Sequence, residues 1–364
     1  MSHESALLLA DGLYTSVFAK TSHGLVRGPS RWPIAAVVDA DHAGTDAGAL
    51  LDGVARDIPI LASVDEALER LTPRPTHAIV GVATVGGVLP DAVRDGLLAA
   101  ARAGLTLVNG LHRLLSEDEP ELAALAAEHG ATILDIRRPR PARELRFWTG
   151  EILSLDVPRA AVLGTDCAQG KRTTAGRLRA GLDTVGHRAE MVFTGQTGWL
   201  QGYPFGFLFD ATPNDFVCGE LEGAILDCAR ATSPDIILLE GQSGLRNPSG
   251  PCGAEFLLAG AAAGVVLQHT PGRTAYEGLE SVGPDGRGCP LPEIASEIAL
   301  IRAYGVDVWA VGLHTEGLDG AAVEPLRARL EDEIGLPVVL PLRAGDLDRL
   351  VATVAERAGL GSTP

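Results

Sequence analysis

The sequence predicts an α/β protein made of two doubly wound domains. Short apolar runs alternate with amphipathic stretches through both halves of the 364 residues, the pattern of parallel sheets covered by helices. The length suits two domains. Between the halves lies Ile136-Arg137-Arg138-Pro139-Arg140-Pro141-Ala142-Arg143. Its prolines neither join a ladder nor continue a helix, so it reads as a linker. Domains are therefore expected at 1–143 and 144–364.

In the first half, strands are expected at Ala6–Ala10, Ile34–Asp39, Ala78–Val82, Thr106–Asn109 and Thr132–Asp135. Helices are expected at Val64–Leu71, Pro90–Ala103 and Glu119–Glu128. This order is Rossmann-like, and strand ends such as Asp39, Gly81 and Asn109, with His112 just beyond, would face a ligand crevice. The first strand, however, runs into Asp11-Gly12-Leu13-Tyr14 and lacks Gly-x-Gly-x-x-Gly. Without those glycines Asp39 reads as a solvated strand-end acid, and a nicotinamide enzyme is not supported. Lys20-Thr21-Ser22-His23-Gly24-Leu25-Val26-Arg27 reads as a basic loop. Lys20 and Arg27 could bind an acidic substrate there, or the segment could be a solvated hairpin.

The second half opens with the apolar run Ala160–Leu163 and then Gly164-Thr165-Asp166-Cys167-Ala168-Gln169-Gly170-Lys171-Arg172-Thr173. Strand, glycine loop, lysine and helix is the context of a phosphate-binding loop. Composition adds weight: the chain has 28 arginines but only two lysines, Lys20 and Lys171. A lysine is kept where a compact ammonium would reach a phosphate. The loop departs from the common form. Five residues separate the glycines, and Arg172 holds the position usually taken by Ser or Thr. Thr173 comes one residue later, turned by about 100° on an ideal helix. That puts the usual magnesium contact in doubt but not the anion site, which backbone N–H groups at a helix start supply. The longer spacing is similar to that of dethiobiotin synthetase. Gly164, Thr165, Gly170, Lys171, Arg172, Thr173 and Thr174 are the expected cofactor-binding residues.

Strands should follow at Ala189–Phe193, Ile236–Leu239, Gly264–Gln268, Val306–Gly312 and Pro337–Leu340. Helices should follow at Thr173–Val185, Cys218–Arg230, Pro292–Ala303, Gly320–Glu333 and Ala344–Arg357. Ile236-Ile237-Leu238-Leu239-Glu240 is an apolar strand ending in a carboxylate, the Walker B pattern. Glu240 would act as a base or, with Thr173, hold a metal if the chemistry uses ATP. Phe193-Thr194-Gly195-Gln196 ends another strand, where Gln196 could bind substrate or form a mere turn. Asn247 lies in the polar loop after Glu240, where function often resides. His269 could be a base, Asp166 a further catalytic acid, and Arg273 a bidentate carboxylate partner.

The net charge of −17 and pI near 4.9 argue against nonspecific nucleic-acid binding and against an anionic membrane surface. The N-terminus shows no basic region of a signal peptide, and no apolar run reaches a membrane span. Five cysteines without a Cys-x-x-Cys pair argue against a disulfide framework or zinc site. A cytoplasmic homo-oligomer is the expectation.

Lys20-Thr21-x-x-Gly24-Leu25-x-Arg27, Val82-Ala83-x-Val85-Gly86-Gly87-x-Leu89-Pro90 and Asn109-Gly110-Leu111-His112 join the phosphate loop, Glu240-Gly241-Gln242, His269-x-Pro271-x-Arg273 and Thr315-Glu316-Gly317. Together they resemble the D-glutamate N-acetyltransferase (DgcN-like) family, long catalogued as a domain of unknown function. That resemblance covers most of the chain. It implies a Rossmann-like N-terminal half, a P-loop C-terminal half and transfer of an acetyl group to the amino group of D-glutamate. The chain departs from the pattern at Ser243-Gly244-Leu245-Arg246-Asn247-Pro248, where Gly-Ser-Leu and a His-Pro pair are expected. Two enzymatic classes stay open: an acyltransferase using acetyl-CoA, and a carboxylate–amine ligase using ATP with Mg2+. A nonenzymatic nucleotide-binding regulator is a third.

Overall fold

The computed structural model describes residues 4–361. Its compact units are residues 1–139 together with Gln196–Tyr203, and Arg140–Gly195 together with Pro204–Pro364. Each is built on one parallel sheet.

The first unit carries six strands: β1 (Ala6–Leu9), β2 (Ile34–Val38), β3 (Ile60–Leu61), β4 (His77–Val80), β5 (Thr106–Asn109) and β6 (Ile133–Asp135). They lie in the order β3-β2-β1-β4-β5-β6, all parallel. This is the doubly wound order of dinucleotide-binding folds. Strand β1 sits between β2 and β4 and is wholly buried, as its uninterrupted Ala-Leu-Leu-Leu run requires. The short β3 escaped the sequence reading because two residues show no period.

Strand-end polar groups here serve the fold. Asp39 is sealed from solvent. Its carboxylate accepts N–H bonds from Tyr14 at 2.9 Å and Asp41 at 3.1 Å, and meets His42 Nδ1 at 3.0 Å. It is therefore not the solvated acid expected, but a clip on the loop after β1. Asn109 and Asp135 share a bond of 2.7 Å, and Asp135 also receives the N–H groups of Leu115 and Ser116. The basic segment after β1 is a helix, Lys20–Arg27, and not a loop. Thr21, Ser22, Gly24, Leu25 and Val26 form its buried face, a pattern hidden by its small polar members.

Residues Gln196–Tyr203 fold with this unit. Leu200 is fully buried in its core, Gln201 Nε2 donates to Gly24 O at 3.1 Å, and the Arg31 guanidinium lies 4.0 Å over Trp199.

The second unit has seven strands: β7 (Arg159–Gly164), β8 (Ala189–Phe193), β9 (Phe205–Gly206), β10 (Ile236–Glu240), β11 (Gly264–His269), β12 (Asp307–Leu313) and β13 (Val338–Val339). They lie in the order β13-β12-β11-β7-β10-β8-β9, again all parallel. Chain order reverses at β7, so the carboxyl ends of β7 and β10 flank a topological switch point, where such sheets bind ligands. No helix among the described residues is long and apolar enough to cross a membrane.

Asp39→Ala should destabilise the first unit by ~2 kcal/mol, since buried N–H groups lose their acceptor. Faster hydrogen exchange of the β1 and β2 amides is the expected readout.

Candidate functional site

At the switch point β7 delivers its chain into the phosphate loop, and the helix Lys171–Thr184 leaves it. The turn needs left-handed backbone twice: Ala168 has φ +51° and Gly170 φ +83°. The first is strained for a residue with a Cβ, a kind of strain that clusters at ligand clamps. Successive backbone N–H groups in such a turn, followed by a helix start whose first four N–H groups lack intrahelical partners, make an anion cradle. Gln169 braces it. Its side chain contacts Thr165 Oγ1 at 2.9 Å and accepts from Asp166 N at 3.1 Å.

Lys171 is buried under the loop. Its ammonium donates to Asp166 O at 2.6 Å and Ser243 O at 2.9 Å. Burial lowers its pKa, opposed by the neighbouring Cys167 and Asp166 side chains; an arriving phosphate would offset the same desolvation. Ser243 comes from the loop after β10. That loop approaches closely because Gly244 has no Cβ: one would lie 2.7 Å from Thr165 O.

Glu240 ends β10 and pairs in register with Val162 of β7. Its carboxylate accepts Thr194 N at 3.0 Å, while Thr194 Oγ1 donates to Glu240 O at 2.7 Å and accepts from Gln242 Nε2 at 2.8 Å. Burial raises its pKa, and the Arg172 charge, the N–H groups of Thr194 and Gly195, and the Lys171 charge oppose the rise. His269 Nδ1 lies 3.1 Å from Thr165 Oγ1. Burial pulls its pKa down to about 4, so the imidazole is neutral near pH 7 and brings no charge to the cradle.

Asp166 is fully buried. Its carboxylate accepts from Cys167 N (2.6 Å), Asn247 Nδ2 (3.0 Å), Arg273 Nη1 (3.2 Å) and Glu277 N (2.7 Å). With its lone pairs so engaged it ties loops together and has none spare for acid–base work. Asn247 is likewise sealed, its other end accepting from Ser249 N and Oγ. Arg273 also donates to Cys167 O at 2.9 Å and pairs with Glu277 at 2.8 Å and Glu316 at 2.7 Å. A substrate carboxylate would have to displace Glu277 or Glu316 from it.

The expected residues thus divide. Gly164, Thr165, Asp166, Gly170, Lys171, Arg172, Thr173, Thr174, Glu240, Asn247, His269 and Arg273 belong to the second unit. Lys20, Arg27 and Gln196 belong to the first. There Lys20 is exposed, Arg27 pairs with Asp52 at 3.0 Å, and Gln196 Oε1 accepts from Arg137 at 2.8 Å. Sequence reasoning missed Thr194, whose only signal is its place at a strand end. It also missed Glu277, which lies in a long polar stretch without period.

Known proteins share this arrangement. Residues 146–351 match a family described as a domain of unknown function, DUF1611_C, P-loop domain. Residues 40–139 match the companion DUF1611_N, Rossmann-like domain. A D-glutamate N-acetyltransferase of Tritonibacter scottomollicae is 31% identical over 286 residues, covering 76% of this chain and 80% of that protein. Another of the same name, from a Pseudoalteromonas species, is 31% identical over 281 residues, with the same coverage. The crystal structure of a DUF1611 family protein from Anabaena variabilis superposes with TM-score 0.83 and 31% identity, over 97% of this chain and 99% of that one.

Two outcomes test this geometry. Asp166→Ala should loosen the segment after β11, seen as faster amide exchange at Glu277 than in the parent protein. His269→Asn should flatten the pH dependence of stability on the acid side. A folded-state pKa near 4 against about 6.5 unfolded means the unfolded chain binds the extra proton first, so stability falls between those values as pH drops. The shift corresponds to up to about 3 kcal/mol, and denaturation midpoints of both proteins from pH 7 to pH 4 measure it.

Proposed function

Because the chain belongs to the DUF1611 family, we propose that it is an N-acyltransferase moving an acetyl group from acetyl-CoA to the amino group of an acidic amino acid such as D-glutamate. One observation carries the reading: the match, over three quarters of the chain, to two proteins named D-glutamate N-acetyltransferase. The second unit supports it with an anion cradle and a buried carboxylate on adjoining strand ends.

Acetyl-CoA supplies an acyl group already activated as a thioester, together with phosphates. On this reading Lys171, Arg172 and the N–H groups from Ala168 to Thr173 hold the phosphates. An attacking amine must be neutral, and its ammonium must give up a proton. Glu240 is the base proposed for it. Its burial favours the protonated form, which makes it a better proton acceptor than a solvated glutamate. His269, with its proton affinity depressed, is the weaker base of the two. The substrate carboxylate would take the place of Glu316, the most exposed partner of Arg273.

The second reading, an ATP- and Mg2+-dependent carboxylate–amine ligase, draws on the Walker B-like placement of Glu240 and the loop spacing shared with dethiobiotin synthetase.

The purified protein with acetyl-CoA and D-glutamate should release free CoA and form the N-acetyl product without ATP. Product formation that requires ATP and magnesium would replace this reading with the ligase. Glu240→Gln should keep CoA binding and slow turnover at least 100-fold, within the range of lost general-base catalysis. Lys171→Ala should abolish CoA binding while retaining the parent circular dichroism spectrum.

A further inference from the structure

The phosphate loop is built like that of a magnesium-dependent nucleotide enzyme, but its donor set does not suit magnesium. In that arrangement the hydroxyl directly after the lysine and the acid at the end of the neighbouring strand hold the metal. Here the neighbouring acid is present as Glu240, and the residue after Lys171 is Arg172. A guanidinium has five N–H donors and no lone pair, so it cannot ligate a cation. Magnesium demands oxygen donors in near-octahedral order. Thr173 offers one, but a residue further round the helix Lys171–Thr184. On the acid's side, one Glu240 oxygen is engaged by Thr194 N at 3.0 Å.

The positive charge at this spot comes from the protein. Arg172 begins the helix beside Lys171, and of all charged groups it acts most strongly on the Glu240 carboxylate. By sequence the guanidinium is carried at the position where a metal-binding loop has its hydroxyl. Lys171 is tied to two carbonyls, Asp166 O of its own loop and Ser243 O of the loop after β10. Magnesium-dependent loops carry that lysine as well, so Arg172 is the one positive charge added here at the helix start.

We infer that Arg172 takes the place of the divalent metal, so that this loop binds a phosphoanion ligand, of the diphosphate class found in CoA and nucleotides, without a metal ion. The inference rests on the proposed phosphate site and adds to it the identity of the counter-charge. Arg172 neutralises phosphate oxygens directly, by planar N–H pairs that a lysine cannot reproduce. It also separates this chain from the ligase reading, whose acyl phosphate chemistry depends on magnesium.

The test is isothermal titration of the full-length protein with CoA and, separately, with ATP. Each titration is run in EDTA and in millimolar magnesium. The affinity for CoA should agree within about twofold between the two buffers. Arg172→Ala should weaken it at least tenfold in both, and Arg172→Lys should recover only part. Arg172→Thr, which restores the missing hydroxyl, should bind ATP more tightly in magnesium than in EDTA. Binding by the parent protein that disappears in EDTA overturns the inference. So does unchanged affinity in a folded Arg172→Ala. If Lys171→Ala loses binding and Arg172→Ala does not, the phosphate loop stands and only the role of Arg172 falls. If the folded parent protein binds neither probe in either buffer, the phosphate site itself is wrong.

Discussion

The organisation of the second unit hangs on one buried carboxylate. Asp166 belongs to the phosphate loop, and the groups that satisfy it come from that loop, from the loop after β10 and from the segment after β11. An ionised carboxylate away from water is costly unless it is paired and hydrogen-bonded. Four donors, one of them a guanidinium, meet that cost only when all three segments are in register. The anion cradle is therefore assembled before any ligand arrives, and its shape is a consequence of electrostatics in the interior.

Around this anchor the polar strand ends separate by what they bond to. Asp166 and Asn247 are consumed by the scaffold. Glu240 is fixed by a threonine and an N–H group at the end of β8, which orients it without neutralising it. His269 is buried against a threonine hydroxyl and kept uncharged. Two acids only a few residues from glycines in parallel strand-end loops thus have opposite uses. The difference lies in how many donors reach each one.

Much of the fold was legible because parallel sheets write long apolar runs into the sequence. The runs Ala6–Ala10 and Ile236–Leu239 could hardly be anything else. Elements too short for a period were not legible: β3 and β9 have two residues each. The helix Lys20–Arg27 was misread because its buried face is largely threonine, serine and glycine. At the site, the backbone cradle and Lys171 were readable from spacing. The commitments of Asp166, Asn247 and Arg273 were not. A sequence shows that a residue can accept or donate, but not that its partners, 81 to 111 residues away, already occupy it.

The excursion of Gln196–Tyr203 into the first unit makes neither unit a continuous piece of chain. Leu200, with Trp199 packed beside it, belongs to a core otherwise built from residues before 140. During synthesis, the amino-terminal sheet can be made and paired early, yet one of its buried side chains emerges some sixty residues after the rest. The N-terminal unit must wait, with part of its apolar surface uncovered, until β7, the phosphate loop and β8 have left the ribosome. The usual order, in which the first domain finishes before the second begins, is closed to this chain. Completion of one unit is instead bound in time to the birth of the other.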